Sequence, residues 1–185
     1  MSTEITTQGT AEQHPRAKAL IQTIAKRAAS HFRALGLADP ELSVVLCDND
    51  TIHAINKEWR GEDKPTDVLS FPLHEFEEPG VFDPMLTAFD GEDGPGLSLG
   101  DIIISLEYAE GLLETREHHR RVAQELGVAP ESLAWSFDDE VHFLLIHGIL
   151  HLVGHDHMEV DEEEAMKAEE RRLWEHAAAE TQGDN

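Results

Sequence analysis

The chain has 185 residues, 40% of them hydrophobic, which favours a single domain with one buried core. Its 38 acidic side chains against 14 basic ones give a formal net charge of -24; such a surface repels a polyanion like RNA, so RNA must be met by a local basic patch or a metal, and the plainest reading of the acidity is solubility or salt adaptation. A lone cysteine, Cys47, excludes an internal disulfide, while the lack of an apolar run of ~18 residues and of a hydrophobic signal core in Met1 to Arg16 leads us to expect a cytoplasmic protein that spans no membrane.

Residues 1–14, rich in Thr, Gln and Glu, read as a flexible tail, and 181–185 as a second one, leaving 15–180 for the domain. Ala17, Leu20, Ile21, Ile24, Ala28, Phe32 and Leu35 fall at helical offsets, and Gly36 supplies a stop. Leu42 to Leu46 is a strand, with Cys47 a small core residue rather than a nucleophile. Asp50 and Thr51 then cap a short helix carrying Ile52, Ile55, Asn56 and Trp59. After the polar loop Arg60 to Pro65, Thr66 to Pro72 is a second strand ended by its proline.

His74 to Ser98, rich in Gly, Pro and acid, reads as a long hairpin or surface loop. Gly100 to Leu106 carries the strongest strand signal in the chain, and Glu107 to Leu126 reads as one helix stopped at Gly127. Pro130, Glu131 and Ser132 open a segment that continues helically through Val141–Ile146 to Val153, with Gly154 as terminator. A last helix spans Asp161 to Ala179, anchored by Met166, Leu173 and Trp174. Helices interleaved with strands, without repeats, indicate an α/β layered domain.

The chemistry concentrates in His147-Gly148-Ile149-Leu150-His151-Leu152-Val153-Gly154-His155-Asp156-His157. Four residues turn a helix through ~400°, so His147 and His151 project from one face about 40° apart. Gly154 permits a left-handed turn that returns His157 towards the same ion. Three neutral imidazoles suit one Zn²⁺ per chain and leave a fourth position open, the pattern of a catalytic site. His155 is a further imidazole able to compete for the ion. His142 reads as a satisfied core residue, and His118 and His119 as solvated ones. The same spacing occurs in metzincin proteases, where glutamate follows the first histidine as general base. Here that residue is Gly148, which disfavours a zinc peptidase.

His-Gly-x-Leu-His-Leu-x-Gly-x-Asp-His resembles the signature of the YbeY family, bacterial rRNA maturation factors described as metal-dependent endoribonucleases. Asn56, Trp59-Arg60-Gly61 and Thr66 to Pro72 are similar to its second block, and Leu99 to Ser105 to its third. Two departures stand out: His155 replaces a tyrosine, and residues 74–98 are longer and more acidic than in the family. The resemblance implies a single α/β domain, a small mixed sheet of about four strands covered by helices, with the metal site in a cleft and Arg60 matching a nearby arginine. It also implies ribosomal RNA as substrate, a role in ribosome quality control, and contacts with a small-subunit ribosomal protein and a ribosome-assembly GTPase.

From these residues we expect Arg60 to stabilise charge on a phosphoryl group beside the metal, with Lys57 and Lys64 forming a small basic lip that binds substrate. An ion pair of Arg60 with Glu62 or Asp63 is the structural alternative. Asp101 and Asp156 are candidate carboxylates for orienting a ligand histidine through its other ring nitrogen, and Asp156 serves equally as a turn cap. No residue stands out as general base, and attack by water or by a ribose 2′-hydroxyl are both open. A ribosome-assembly factor with a mainly structural metal is the competing class.

Overall fold

Thr3, Ile5 and Thr7 alternate with Glu4 and Thr6, a β-branched run that suits a half-buried edge strand. In a computed structural model, which describes residues 2–37, 40–76, 78–82 and 97–183, this run is strand β1 (Ser2–Thr7). The loose tail expected over 1–14 is thereby corrected. A 3-10 turn (Gly9–Gln13) follows, held where Asp48 Oδ2 accepts from Thr10 N at 2.6 Å and from Thr10 Oγ1 at 3.1 Å. The polar composition hid the strand because only Ile5 reaches the core.

Strands β2 (Glu41–Cys47), β3 (Val68–Pro72) and β4 (Ser98–Ser105) complete a four-stranded mixed sheet in the order β1-β2-β4-β3. The first three in that order run parallel, and β3 pairs antiparallel with β4 at the edge. Side chains alternate across β4 with the period of two that a strand imposes. Ile102 and Ile104 join Leu20, Phe32, Leu145 and Ile149 on one face, where α1 (Ala17–Ala34) and α5 (Phe137–Leu152) lie. Ile103 joins Cys47, Ile52 and Leu69 on the other, beneath α2 (Asn49–Arg60). Burying each such Leu or Ile contributes about 1.5–3 kcal/mol. Cys47 is fully buried, and burial pushes its thiol up to about 12, in keeping with an inert core residue.

Two boundaries differ from expectation. Asp48, rather than Asp50 or Thr51, caps α2, its Oδ1 accepting from Thr51 N at 2.9 Å. The helix expected over 107–126 is broken into α3 (Leu106–Leu113) and α4 (Arg116–Glu125). Thr115 is the cause: its hydroxyl donates to Leu112 O at 2.6 Å and its backbone is extended, so the hydroxyl competes with the helical ladder.

Beyond a 3-10 turn at Pro130–Ser132, α5 starts on a capping box, Ser136 Oγ accepting from Asp139 N while Asp139 Oδ2 accepts from Ser136 N. Helix α6 (Val160–Gly183) packs on α5 through Met166, Leu173 and Trp174 and extends into the tail expected at 181–185, whose last two residues lie outside those described. Of the loop expected at 74–98, residues 77 and 83–96 are likewise outside the described residues. Among those described, no helix is long and apolar enough to cross a membrane.

Candidate metal centre

The last turns of α5 bring His147 and His151 together, ring centroids 4.6 Å apart and Nε2 atoms 3.1 Å apart. The helix ends there because Gly154 adopts φ 92°, and a Cβ on it would fall 2.6 Å from Phe76 Cβ. The chain turns sharply and delivers His157, whose ring lies 5.6 Å from His147 and 5.1 Å from His151. One ligand atom from each of the three lies within 4.8 Å of the others.

The remaining ring nitrogens decide which atoms point inward. His147 Nδ1 donates to Glu170 Oε1 at 2.8 Å, and His151 Nδ1 to the His155 carbonyl at 2.9 Å. With protons there, each Nε2 carries the lone pair that a metal requires. Tetrahedral zinc with bonds of about 2.0–2.1 Å needs ligand nitrogens roughly 3.3 Å apart, close to the His147–His151 separation. Burial, helped by His147 and His157, holds the His151 imidazole down at about 4, in the neutral form that coordinates. The three residues therefore fit a metal ion. His155 stands outside the converging group and contributes its backbone oxygen.

These rings open into a cleft of about 950 Å³. Residues of helix α5 line it together with Arg60, Asp67, Val68 and Ser70 from α2, β3 and the loop between them, and with Arg121, Glu125, Lys167 and Glu170 from α4 and α6. Arg60 is exposed at the rim and has no acidic partner among the described residues. The carboxylates weighed as its partners are taken by the lysines: Lys57 Nζ is 2.7 Å from Asp63, and Lys64 Nζ 3.3 Å from Glu62. Neither lysine lines the cleft, so the basic lip expected from them is replaced by two surface ion pairs.

Asp101 does not orient a ligand either. Strand alternation puts it on the same side of β4 as Ile103, away from α5, where it lines a separate pocket with Glu4 and Glu41. Asp156 takes its turn-capping alternative, its Oδ1 accepting from His157 N at 2.8 Å. The carboxylate that holds a ligand is Glu170, which the sequence reading missed. A signal existed, since Met166, Glu170 and Leu173 recur at i, i+4 and i+7, placing an acid on the buried stripe of α6. His118, expected to be solvated, is buried with Nε2 2.6 Å from Glu140 Oε2. His142 is the core residue expected, its Nε2 2.8 Å from that of His31.

Gly148 faces the sheet. A Cβ there would lie 2.9 Å from Ile102 Cγ2 and Cδ1, so the helix sits too close to β4 to admit a side chain. The glutamate of the peptidase motif has no room at this position.

Comparison with known proteins gives the chain a family. The family described as Endoribonuclease YbeY matches residues 4–178. Endoribonuclease YbeY of Clostridium botulinum is 40% identical over 139 residues, covering 73% of this chain and 74% of its own. That of Pediococcus pentosaceus is 36% identical over 157 residues, 85% of each chain. The solution structure of TM1509 from Thermotoga maritima shares the fold, with a TM-score of 0.53, 23% identity, and coverage of 98% of this chain and 93% of that one. The chain belongs to the endoribonuclease YbeY family.

Proposed function

We propose that this chain is a zinc-dependent endoribonuclease that cuts single-stranded segments of ribosomal RNA during maturation and quality control of the ribosome, in the cytoplasm. The observation that carries this reading is the convergence of three imidazoles in a cleft also lined by Arg60, an exposed arginine with no acidic partner among the described residues. Bound zinc supplies a Lewis acid directed at a phosphoryl oxygen or a water. The chain's residues do the remaining work. His147, His151 and His157 hold the ion, and Glu170 and the His155 carbonyl orient two of those rings. The planar Arg60 guanidinium takes two phosphate oxygens and stabilises charge that grows on them. The acidic surface suits docking to basic ribosomal proteins, and the family resemblance is what supports a small-subunit ribosomal protein and an assembly GTPase as partners.

The test assays purified protein on single-stranded RNA and on casein, with and without a chelator. RNA cleavage abolished by chelation, with casein intact, is the expected result; RNA binding without cleavage under all conditions would instead favour an assembly factor with a structural metal. Arg60→Glu should lower cleavage by at least the 10²–10³-fold cost of losing a charge-stabilising donor, while zinc content stays at that of the parent protein. Survival of cleavage in that variant removes Arg60 from the chemistry. A 2′,3′-cyclic phosphate on the product identifies internal attack by the ribose, and a 5′-phosphate identifies attack by water.

A further inference from the structure

Among the described residues, carboxylates outnumber cations around the cleft, and only Arg60, Arg121 and Lys167 bring lysine or arginine charge to it. Lys167 is paired with Glu163, one turn before it on α6. Arg121, which reaches the cleft from α4 rather than from α2, is held more loosely. Its Nε lies 3.6 Å from Glu125 Oε1, and its side chain is 58% exposed.

A second contact of Arg121 runs inward. Its Nη2 lies 3.5 Å from His118 Nδ1, at the long end of hydrogen-bond reach. His118 Nε2 is 2.6 Å from Glu140 Oε2, and Trp135 Nε1 donates to the same oxygen at 2.7 Å. Glu140 is completely buried and His118 nearly so. A carboxylate only accepts, so the imidazole carries its proton on Nε2 and turns the Nδ1 lone pair towards the guanidinium. Taking a carboxylate and an imidazole out of water is costly, and apolar residues of similar volume would often serve the core as well. No hydrogen bond or ring contact among the described residues joins this pair to His147, His151 or His157. What the pair does touch, besides Trp135, is Arg121.

We infer that Arg121 is a second phosphate-holding residue of the cleft, set by the buried His118–Glu140 pair, so that an RNA strand is gripped at two points, by Arg60 from α2 and by Arg121 from α4. This rests on the nuclease reading above. With Arg60 as the sole anchor, a strand crossing the histidine trio would pass the wall of Glu125, Glu163 and Glu170, where only Lys167, already paired with Glu163, offsets their repulsion. A guanidinium on that wall supplies the missing anchor, and its fork grips a phosphate without reading the base. His118 and Glu140 act through Arg121 and are positioning residues.

The test measures binding of a labelled single-stranded RNA to the zinc-loaded protein across a salt series, together with kcat and KM. Arg121→Ala should weaken binding about tenfold, the size expected for one charged hydrogen-bonding contact. It should flatten the log–log salt dependence by about 0.7, the share of one phosphate on a single strand. KM should rise more than kcat falls, with zinc content unchanged. Arg121→Lys should keep the salt slope, because the charge remains. His118→Ala should move binding in the same direction by less, and should add little once Arg121 is alanine. A merely structural His118 would instead lower thermal stability without that dependence on Arg121. If Arg121→Ala keeps the parent slope and KM while the parent protein binds and cleaves RNA, the inference is overturned and the nuclease reading stands. If the parent protein neither binds nor cleaves RNA, the nuclease reading fails and takes the inference with it.

Discussion

Helix α5 takes part in two pairs of imidazoles that meet nose to nose, one shared with α1 through His31 and one wholly its own, and they are put to different uses. Near its start His142 Nε2 meets His31 Nε2 at 2.8 Å; near its end His147 Nε2 meets His151 Nε2 at 3.1 Å. The first pair is sealed: His31 has no exposure, His142 lies against the Trp174 ring at 4.9 Å, and His31 Nδ1 is buried without a hydrogen-bond partner. In the second pair each Nδ1 is anchored, a third ring approaches from His157, and the group opens to the cleft. Proximity of two histidines is therefore common to both sites. Anchored outer nitrogens, a third ligand and access for substrate are what distinguish a metal centre from core packing.

The sharpest way to break this contrast is to remove a ligand from the open cluster. His151→Ala should reduce bound zinc from one ion per chain to near none and abolish RNA cleavage, a loss beyond the 10–100-fold that partners of ligands command. Metal analysis after gel filtration reads the first and an RNA assay the second. His142→Ala should leave zinc content at the parent level, because its ring faces the core; if it too empties the site, the distinction between the two pairs collapses. Next in size is Gly148→Glu, which writes the peptidase motif into the helix. Overpacking against Ile102 costs about 1–3 kcal/mol, and a buried carboxylate without a partner several more. We expect a large drop in the denaturation midpoint and no casein cleavage. A stable, proteolytic variant would show that the helix can rotate this position towards the metal.

Glu170→Gln probes the anchoring. Glutamine keeps the size but weakens the hold on His147 Nδ1, so zinc affinity should fall roughly 10–100-fold with the fold retained. Titration against a competing chelator measures it, and unchanged affinity would make Glu170 a bystander.

The convergence of the histidine trio was legible in the sequence because its determinants are local: a four-residue spacing, a glycine that tolerates a positive φ, and a third histidine just beyond it. Glu170 was not, since it comes from another helix and meets His147 only through the packing of α6 on α5. Asp101 misled for a related reason. It adjoins a strand residue that packs under the metal helix, yet alternation along β4 turns it to the opposite face. The sheet was largely readable from its apolar runs, but β1 was not, because an edge strand can be mostly polar. The break at Thr115 depended on one hydroxyl choosing the Leu112 carbonyl. His118 shared its charged surroundings with solvated neighbours, and its burial followed from Glu140, a residue on another helix.

The smallest effect distinguishes the sealed pair by its proton affinity. Burial, reinforced by Arg27, lowers the His31 imidazole to about 3 and that of His142 to about 2, against about 6.5 in an unfolded chain. Above pH 6.5 both states leave these rings neutral, and stability is unaffected. As pH falls through 6.5 the unfolded chain takes up protons that the folded one refuses, so stability declines and continues to decline until the folded rings protonate near 3. Between pH 7 and 5.5 each ring should remove about 1 kcal/mol. Urea denaturation of the zinc-loaded protein should therefore weaken over that interval. His142→Gln should weaken less by about 1 kcal/mol, whatever its stability at pH 7. Equal pH dependence in parent and variant would mean that the His142 ring reaches solvent when it takes up a proton, and the sealed character that separates it from His147 and His151 would be lost.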